Sequence, residues 1–328
     1  MIKAKYEEFT KEFKELLIKS KSIGICVHIN PDGDALGSML GLYGGIRQLN
    51  QNVVCIQTDK TPNYLSFLPG IDELVPYSDD MKFDVLITLD SSSVDRIGTC
   101  QKLLRESKIS VNIDHHVTND FFADLNFVVS DASSTSEIVF NIIKELNINL
   151  NSNIATALYV GILTDTNRFL YKNSTSNTLK SAAELVDSGI NKDLIHYNLY
   201  QVNTRGSFCL TGELIQNSRF YHDNKLALCI VNTEMLSKCD ASLEDTEDKI
   251  NILRDIEGVE VACLIKEESN DSFKVSLRSK TVVDVSTICA KFNGGGHVHA
   301  GGFSFTGEIN NLQKTLLEVL DDIEWDKI

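Results

Sequence analysis

Residues 22–34 read Ser-Ile-Gly-Ile-Cys-Val-His-Ile-Asn-Pro-Asp-Gly-Asp, an apolar run that ends in a turn with two acidic residues. A short apolar run of this kind is typical of a buried β-strand, and apolar residues then recur at helical spacing over 35–49. The alternation continues with strand patterns at 53–57, 83–89 and 109–113 and helix patterns at 134–146 and 153–164. It predicts an α/β fold with a doubly wound, mostly parallel sheet.

The composition changes after residue 188, which indicates a second domain. Residues 190–205 are polar and mixed. Beyond them lie helix patterns at 207–217, 248–257 and 285–292 and strand patterns at 226–231, 259–266, 273–278 and 303–305. We therefore predict a first domain over 1–188, an inter-domain connection over 189–205, and a smaller α/β domain over 206–328.

The overall charge limits the ligands that the chain is suited to bind. Of its 328 residues, 42% are hydrophobic and 23% are charged, and the formal net charge is −15. A protein that follows long DNA or RNA needs a strongly basic surface, so we expect no long nucleic acid as a substrate. An acidic chain is better suited to binding divalent cations through its carboxylates.

The sequence also predicts a compartment. No apolar run approaches the roughly 20 residues that span a bilayer, and residues 1–20 mix Lys and Glu with Phe and Leu, unlike a secretory signal. The eight cysteines are scattered without a Cys-x-x-Cys pair, which disfavours a zinc ribbon or a disulfide framework. We expect a cytoplasmic protein that does not associate with membranes.

Acidic residues and histidines follow the predicted strands at the points where those strands end. In open α/β sheets, ligands bind at this edge. With one aspartate from the end of the 153–164 helix pattern, the set comprises His28, Asp32, Asp34, Asp90, His115 and Asp165. Mixed nitrogen and oxygen ligands of this kind suit Mn²⁺, Fe²⁺, Co²⁺ or Mg²⁺.

Each of these residues has an ordinary explanation when it is taken alone. Asp32-Gly33-Asp34 is a common turn sequence, Asp90 is a good helix N-cap, and adjacent histidines are frequent on surfaces. Three of only seven histidines nevertheless lie at this one predicted edge. Their joint placement favours a metal site.

The predicted second domain contains Asn-Gly-Gly-Gly-His-Val-His-Ala-Gly-Gly at 293–302. A flexible turn would explain the glycines by themselves. Glycine also lets backbone N–H groups approach a bound anion, and the histidines could donate to a phosphate oxygen. Arg278 ends a strand pattern, where it either binds phosphate through its guanidinium or lies on the surface.

These motifs resemble those of the DHH phosphoesterase superfamily, which is named for the triplet that stands here as Asp114-His115-His116. The first motif is His-Ile-Asn-Pro-Asp-Gly-Asp-Ala-Leu-Gly-Ser at 28–38, and the last is the Gly-Gly-Gly-His of the DHH-associated C-terminal domain at 294–297. Four motifs stand in the expected order, and the match covers nearly the whole chain. Within the superfamily, the chain is similar to the bifunctional oligoribonuclease (nanoRNase) and pAp phosphatase group.

The resemblance implies a dinuclear metal centre in the cleft between the two domains. Mn²⁺ is the expected metal, with Mg²⁺ or Co²⁺ as alternatives. One ion would bind His28, Asp32 and Asp90. The other would bind Asp34, Asp90, His115 and Asp165.

The resemblance also implies roles for residues that bind no metal. Asp114 would orient its neighbours and His116 would face the substrate phosphate, which makes them the expected catalytic residues. A terminal phosphate of the substrate would be bound by Arg278, Gly294, Gly295, Gly296 and His297. Where the family usually has glycine, the chain has Asn167, a residue that tolerates left-handed backbone conformations. The adjacent Arg168 either adds a basic contact or faces solvent.

The implied activity is hydrolysis of short oligoribonucleotides, dinucleotides and the 3′-phosphate of pAp, by attack of a hydroxide that two metal ions activate. A phosphodiesterase of linear or cyclic dinucleotides (pApA or c-di-AMP) is the main alternative. A single-strand exonuclease normally carries added nucleic-acid-binding modules, and a DHH pyrophosphatase lacks the Gly-Gly-Gly-His loop. A non-catalytic nucleotide sensor would not need a complete ligand set. The sequence leaves open whether the chain forms a homodimer.

Overall fold

Two six-stranded sheets organise the part of the chain that the computed structural model describes, residues 2–246, 249–269 and 271–328. Each sheet belongs to a separate unit, Met1–Val202 or Asn203–Ile328. The predicted connection at 189–205 contains a helix, Lys192–Tyr200, whose Ile195 is buried in the core of the first unit.

The elements of the first unit follow one another as strands and crossover helices. In chain order they are α1 (Ile2–Lys19), β1 (Ile23–Val27), α2 (Gly33–Ile46), β2 (Val53–Gln57), β3 (Val75–Pro76), β4 (Val85–Leu89), α3 (Gln101–Glu106), β5 (Ile109–Asp114), β6 (Leu125–Val128), α4 (Thr135–Glu145), α5 (Ser152–Asp165), α6 (Ser176–Asp187) and α7 (Lys192–Tyr200).

The first sheet has the strand order β3-β2-β1-β4-β5-β6, and all its neighbouring strands are parallel. The predicted doubly wound parallel sheet is therefore confirmed. The strand order reverses between β1 and β4. At such a reversal the turns that leave the two strands diverge, and the crevice beyond their carboxyl ends is where ligands bind.

Strands β1 and β4 are buried at every position because both faces of the sheet are covered. On one face, Ile23 and Ile25 pack in the main core with side chains from α2, α4 and α5. On the other face, Cys26 and Leu86 pack with Ile97. The central strands therefore read as continuous apolar runs, as the sequence predicted.

Glycines bring α2 close to α5. A Cβ added to Gly33 would lie 2.4 Å from Thr164 Oγ1, and one added to Gly37 would lie 2.5 Å from the carbonyl oxygen of Ala157. Only glycine permits this approach of the two helices. It places the last residue of α5, Asp165, beside the first turn of α2.

The second unit combines a mostly antiparallel sheet with helices. Its elements are α8 (Arg205–Asn217), β7 (Arg219–Tyr221), β8 (Leu226–Val231), α9 (Thr233–Cys239), α10 (Lys249–Arg254), β9 (Val261–Ser269), β10 (Ser272–Ser279), α11 (Val285–Ala290), β11 (Gly295–His297), β12 (Ala300–Thr306) and α12 (Ile309–Asp321). The strand order is β11-β12-β10-β9-β8-β7, and β8 and β9 are its parallel pair. The predicted helix at 248–257 appears as α10, and its first residue, Asp248, lies outside the described residues.

Apolar layers cover both faces of this second sheet. Along β9, Val261, Cys263 and Ile265 join one core, while Ala262 and Leu264 join another. The sequence predicted this smaller α/β domain.

A disulfide between Cys209 and Cys239 joins α8 to α9 within the second unit. The other six cysteines are buried thiols. The scattered cysteine pattern did not predict this pair, because the two residues meet only when the two helices pack. Within the described residues, no helix is both long and apolar enough to cross a membrane.

Candidate metal centre

Aspartates and histidines from four segments of the first unit meet at the ends of β1, β4, β5 and α5. Three groups of side chains each bring their potential ligand atoms within 4.8 Å of one another. The groups are His28, Asp32 and Asp90; Asp34, His115 and Asp165; and Asp90, His115 and His116. The fold therefore gathers all six residues that were predicted as metal ligands.

Asp90 lies at the centre of this arrangement. Its Oδ2 is 3.5 Å from His28 Nε2, and its Oδ1 is 3.5 Å from His115 Nε2. The residue has a left-handed backbone with φ of 54°, which is uncommon outside glycine and is often found at functional sites. Its backbone N–H donates to the carbonyl oxygen of Ile113 on the adjacent strand, at 3.1 Å. Asp90 thus presents one oxygen to each of two ligand groups.

Hydrogen bonds orient His28 and Asp32 toward Asp90. His28 Nδ1 lies 2.8 Å from the carbonyl oxygen of Ile29. Because a carbonyl oxygen can only accept a hydrogen bond, Nδ1 carries a proton and donates it, and Nε2 is directed to the site. Asp32 caps α2 through Oδ1, which accepts from the backbone N–H groups of Asp34 and Ala35, both at 3.0 Å. Its Oδ2 lies 3.9 Å from His28 Nε2. The cap uses one oxygen of Asp32 and leaves the second for another contact. Asp90 is not an N-cap, because the helical segment that follows it begins at Val94 with Ser93 as its N-cap.

The carboxyl groups of the centre repel one another, and of these Asp34 and Asp90 are buried while Asp165 is half-buried. Burial, followed by the charge of Asp90, raises the pKa of Asp34 to about 7. Burial, followed by the charges of Asp34 and Asp90, also raises the pKa of Asp165 well above its usual range. A divalent cation stabilises such carboxylates in their charged form. The donor set and its electrostatics therefore fit a bound metal.

The histidines and Asp90 stabilise one another's charged forms. Burial works to lower the pKa of His28, but its hydrogen bond to Asp90 and the charge of Asp32 outweigh burial and raise that pKa to about 9. Burial also opposes the charged form of Asp90. The hydrogen bond from His28 and the charges of His116 and His115 outweigh that effect and hold the pKa of Asp90 well below its usual range.

Asp114 is fully buried and holds the side chains that follow it. Its Oδ1 accepts a hydrogen bond of 2.6 Å from His116 Nδ1, and its Oδ2 accepts one of 2.6 Å from Asn119 Nδ2. Because His116 Nδ1 is directed at Asp114, a substrate contact would use Nε2. Sequence reasoning missed Asn119, since a single asparagine in a loop carries no pattern.

The segment after Asp165 turns with an unusual backbone. Asn167, Arg168 and Phe169 have φ of 45°, 62° and 64°, three left-handed residues in succession. The predicted tolerance of asparagine for this conformation is in keeping with the φ of Asn167. The Arg168 guanidinium lies 5.0 Å from the ring centroid of Tyr200, a cation–π contact that the sequence did not anticipate.

The predicted phosphate loop of the second unit is a tight hairpin. A Cβ added to Gly294 would lie 2.3 Å from the carbonyl oxygen of Gly302, and one added to Gly296 would lie 2.2 Å from that of Ala300. The close approach of β11 to β12 therefore explains these two glycines. By contrast, a Cβ added to Gly295 would meet no described atom within 4 Å.

Backbone pairing aligns Arg278 with the same hairpin. Ala300 on β12 pairs with Arg278 on β10 and with His297 on β11. Arg278 is half-buried, and its Nη1 donates to the carbonyl oxygen of Leu277 at 3.0 Å. The backbone of His297 ends β11, and its side chain lies outside the described part of the structure.

Comparison with known proteins gives a consistent family assignment. Residues 22–162 match the model of the DHH family N-terminal domain, and residues 233–323 match that of the DHHA1 domain. The bifunctional oligoribonuclease and PAP phosphatase NrnA of Thermus thermophilus is 31% identical over 303 residues, which cover 91% of this chain and 89% of that protein. The protein of the same name from Bacillus subtilis is 31% identical over 284 residues, 84% of this chain and 87% of its own length.

A solved structure agrees with this assignment. The crystal structure of an exopolyphosphatase-related protein from Bacteroides fragilis has a TM-score of 0.89 and 29% identity to this chain, and the match covers 96% of both chains. The predicted family and enzyme class are confirmed: the chain belongs to the DHH family of phosphoesterases and is a hydrolase that acts on phosphate esters.

Proposed function

We propose that the chain is a divalent-metal-dependent hydrolase of short oligoribonucleotides, dinucleotides and the 3′-phosphate of pAp. One observation carries the proposal: two groups of Asp and His side chains lie at the switch point of the sheet and share Asp90. The two relatives described above are named for the same pair of activities.

The metal ligands in this proposal are the six predicted residues. His28, Asp32 and Asp90 hold one ion, and Asp34, Asp90, His115 and Asp165 hold the other. Mn²⁺ is the proposed ion. The chemistry that such ions supply is polarisation of phosphate oxygens and a lowered pKa of water.

The chain's own residues bind and orient the phosphate. His116 is the proposed donor to a phosphate oxygen, through Nε2, and Asp114 holds its ring in place. Burial works to lower the pKa of His116, but the hydrogen bond to Asp114 and the charge of Asp90 outweigh it and raise that pKa. The rise favours the charged form of His116, which would stabilise negative charge that develops on the phosphate.

In the second unit, Arg278 and the hairpin of Gly294, Gly295, Gly296 and His297 are the proposed contacts to a terminal phosphate. The open position at Gly295 supports this role, because no described protein atom lies near enough to account for the absence of a side chain there. An anion that approaches the backbone N–H groups would account for it. Recognition of a phosphate terminus favours short substrates.

A substrate series tests the proposal. Purified protein would be incubated with Mn²⁺ and with pAp, a 5′-phosphorylated dinucleotide, and RNA and DNA oligonucleotides of two to about twenty-four residues, with products resolved by chromatography. We expect turnover of pAp and of the shortest oligonucleotides, with rates that fall as length increases. Rates that rise beyond about ten nucleotides would contradict both the terminal-phosphate contact and the argument from the net charge of −15.

A further inference from the structure

The turn over residues 133–137 begins α4 beside the metal centre, and we call it the α4 turn. It contains none of the six proposed ligands, yet it donates hydrogen bonds to two of them, Asp34 and Asp90. Thr135 and Ser136 are fully buried. The sequence predicted the helix start from the Ser-Thr-Ser-Glu signal but gave no indication of what the start faces.

The α4 turn holds both carboxylate oxygens of Asp34. The backbone N–H of Thr135 donates to Oδ2 at 2.7 Å, and that of Ser136 donates to Oδ1 at 2.8 Å. These N–H groups have no partner inside the helix, and the positive end of the helix dipole favours a carboxylate at this position. Two bonds to two different oxygens fix the plane of the carboxylate as well as its position.

The side chain of Thr135 also reaches Asp90. Its Oγ1 donates a hydrogen bond of 3.0 Å to Asp90 Oδ1. Thr135 therefore contacts Asp34 through its backbone and Asp90 through its hydroxyl. Both aspartates are proposed ligands of the second ion, and Asp90 is also a ligand of the first, so one buried residue holds two ligands of the centre together.

A third contact connects the turn to Asp165. Asn173 Nδ2 donates to the carbonyl oxygen of Ser133 at 2.9 Å and to that of Asp165 at 3.3 Å. The side-chain amide of Asn173 thereby connects the end of α5 to the start of α4. The α4 turn thus contacts Asp34 and Asp90 directly and is connected to Asp165 through Asn173.

Buried contacts hold the turn itself in place. Glu137 is only 5% exposed. Its Oε2 accepts hydrogen bonds from the backbone N–H of Ser133 at 2.9 Å, from Ser133 Oγ at 2.5 Å and from Thr178 Oγ1 at 2.9 Å. Ser134 Oγ accepts from the Glu137 N–H at 3.1 Å, which completes the cap of α4.

We propose that Thr135 is a positioning residue of the metal centre, which holds Asp34 and the shared ligand Asp90 in the arrangement that metal binding requires. This inference rests on the proposed function, because it assumes that these aspartates bind metal. Outer partners of metal ligands fix ligand orientation, and their loss typically weakens metal binding by about 10–100-fold.

The test measures Mn²⁺ binding directly, without substrate, by calorimetry and by the electron paramagnetic resonance signal of unbound Mn²⁺. Thr135→Val removes the hydroxyl while keeping a branched side chain and the backbone N–H. We expect it to weaken Mn²⁺ binding by about ten-fold or more. Thr135→Ser keeps the hydroxyl, and we expect its affinity to stay within about two-fold of the wild type.

Thr10→Val is the matched control. Thr10 is a buried threonine of the same unit, and its hydroxyl donates to the carbonyl oxygen of Tyr6 at 2.7 Å. This substitution removes a buried hydrogen bond without touching the centre, so Mn²⁺ affinity should not change. Melting temperatures in EDTA would show whether Thr135→Val and Thr10→Val cost similar stability.

The outcomes separate this inference from the proposed function. If the wild type binds no Mn²⁺, the proposed function fails. If the wild type binds Mn²⁺ and Thr135→Val binds it equally well, or Thr10→Val weakens binding as much, the positioning role is wrong. Should Thr135→Val fail to fold, Thr135→Ser decides the question, because a ten-fold loss in this variant would contradict the role of the hydroxyl.

Discussion

Gly161→Ala changes one hydrogen to a methyl group at the contact between α5 and the α4 turn. A Cβ at this position would lie 1.9 Å from Ser136 Oγ, 2.7 Å from Ser136 Cβ and 2.8 Å from Asp34 Oδ1. Rotation of the serine hydroxyl would relieve the first contact but not the second. The start of α4 must therefore shift, and its hydrogen bonds to Asp34 must lengthen.

Three contributions determine the expected change in the free energy of unfolding, one stabilising and two destabilising. Alanine stabilises a helix relative to glycine by about 1 kcal/mol. Overpacking of a close-packed core typically costs about 1–3 kcal/mol, and each weakened hydrogen bond to a charged group can cost a further ~1.5 kcal/mol or more. We expect Gly161→Ala to lower the free energy of unfolding by about 2–4 kcal/mol and to weaken Mn²⁺ binding.

Gly45→Ala provides the control within the same unit. A Cβ added to Gly45 in α2 would meet Ile143 Cγ1 at 3.3 Å and Cδ1 at 3.4 Å, atoms that can move aside. The free energy of unfolding, measured with urea on the full chain, should change by less than about 1 kcal/mol. Equal stability of the two variants, or unchanged Mn²⁺ affinity in Gly161→Ala, would refute the argument from close packing.

Three further predictions concern the second unit. The Glu260 carboxylate accepts hydrogen bonds from three backbone N–H groups of the loop after β10. Burial opposes the charged form of Glu260, but these bonds outweigh burial and lower its pKa below the ordinary 4.5. The charged carboxylate therefore contributes fully to stability above pH 4.5. This contribution is lost as the pH falls through the lower pKa that Glu260 has in the folded protein. Glu260→Gln should reduce the free energy of unfolding by about 1–3 kcal/mol at pH 7. Urea titrations should show that the difference in stability between wild type and variant shrinks at acidic pH. A difference that does not change with pH would contradict the role of the charged carboxylate. Cys209 and Cys239 are separated by 30 residues, and in the chain-entropy account a disulfide that closes a loop of this length stabilises the fold by about 3–4 kcal/mol. Reduction, or Cys209→Ser, should lower the free energy of unfolding by that amount, as measured with and without reductant. Equal stability of the oxidised and reduced protein would contradict this prediction. Gly295→Ala should leave the melting temperature unchanged and raise KM for pAp. Gly296→Ala should destabilise the hairpin, because Gly296 has a φ of 144° and an added Cβ would lie 2.2 Å from the carbonyl oxygen of Ala300. An unchanged KM in a folded Gly295→Ala would argue against the phosphate contact.

Sequence patterns identified the features that depend on local chemistry. The apolar run that ends at His28 predicted a buried strand, and the structure has that strand at Ile23–Val27. The Ser-Thr-Ser-Glu signal predicted the N-cap at Ser134. Because parallel strands end at a common edge, their following residues could also be expected to meet, and Asp90 and His115 do meet there.

Other features depend on packing between distant segments and left no signal in the sequence. The hydroxyl of Thr135 reaches Asp90 only because glycines let α2 and α5 approach each other and α4. The disulfide partner of Cys209 lies on the next helix of the second unit, and no spacing rule identifies it. The glycines at 294–296 looked equivalent in sequence, yet only Gly295 has open space around it.

Asp90 offers the most direct test of the proposed centre, because its two oxygens face different ligand groups. Asp90→Asn keeps the size of the side chain and removes its charge, and Asp79→Asn is a matched change at an exposed carboxylate. The decisive measurement is the number of Mn²⁺ ions bound per chain, together with the rate of pAp hydrolysis, in the wild type and both variants. We predict two ions and full activity in the wild type and in Asp79→Asn. Asp90→Asn should bind fewer ions and hydrolyse pAp about 10²–10³-fold more slowly or worse. An Asp90→Asn protein that binds two ions and retains its rate would contradict the account.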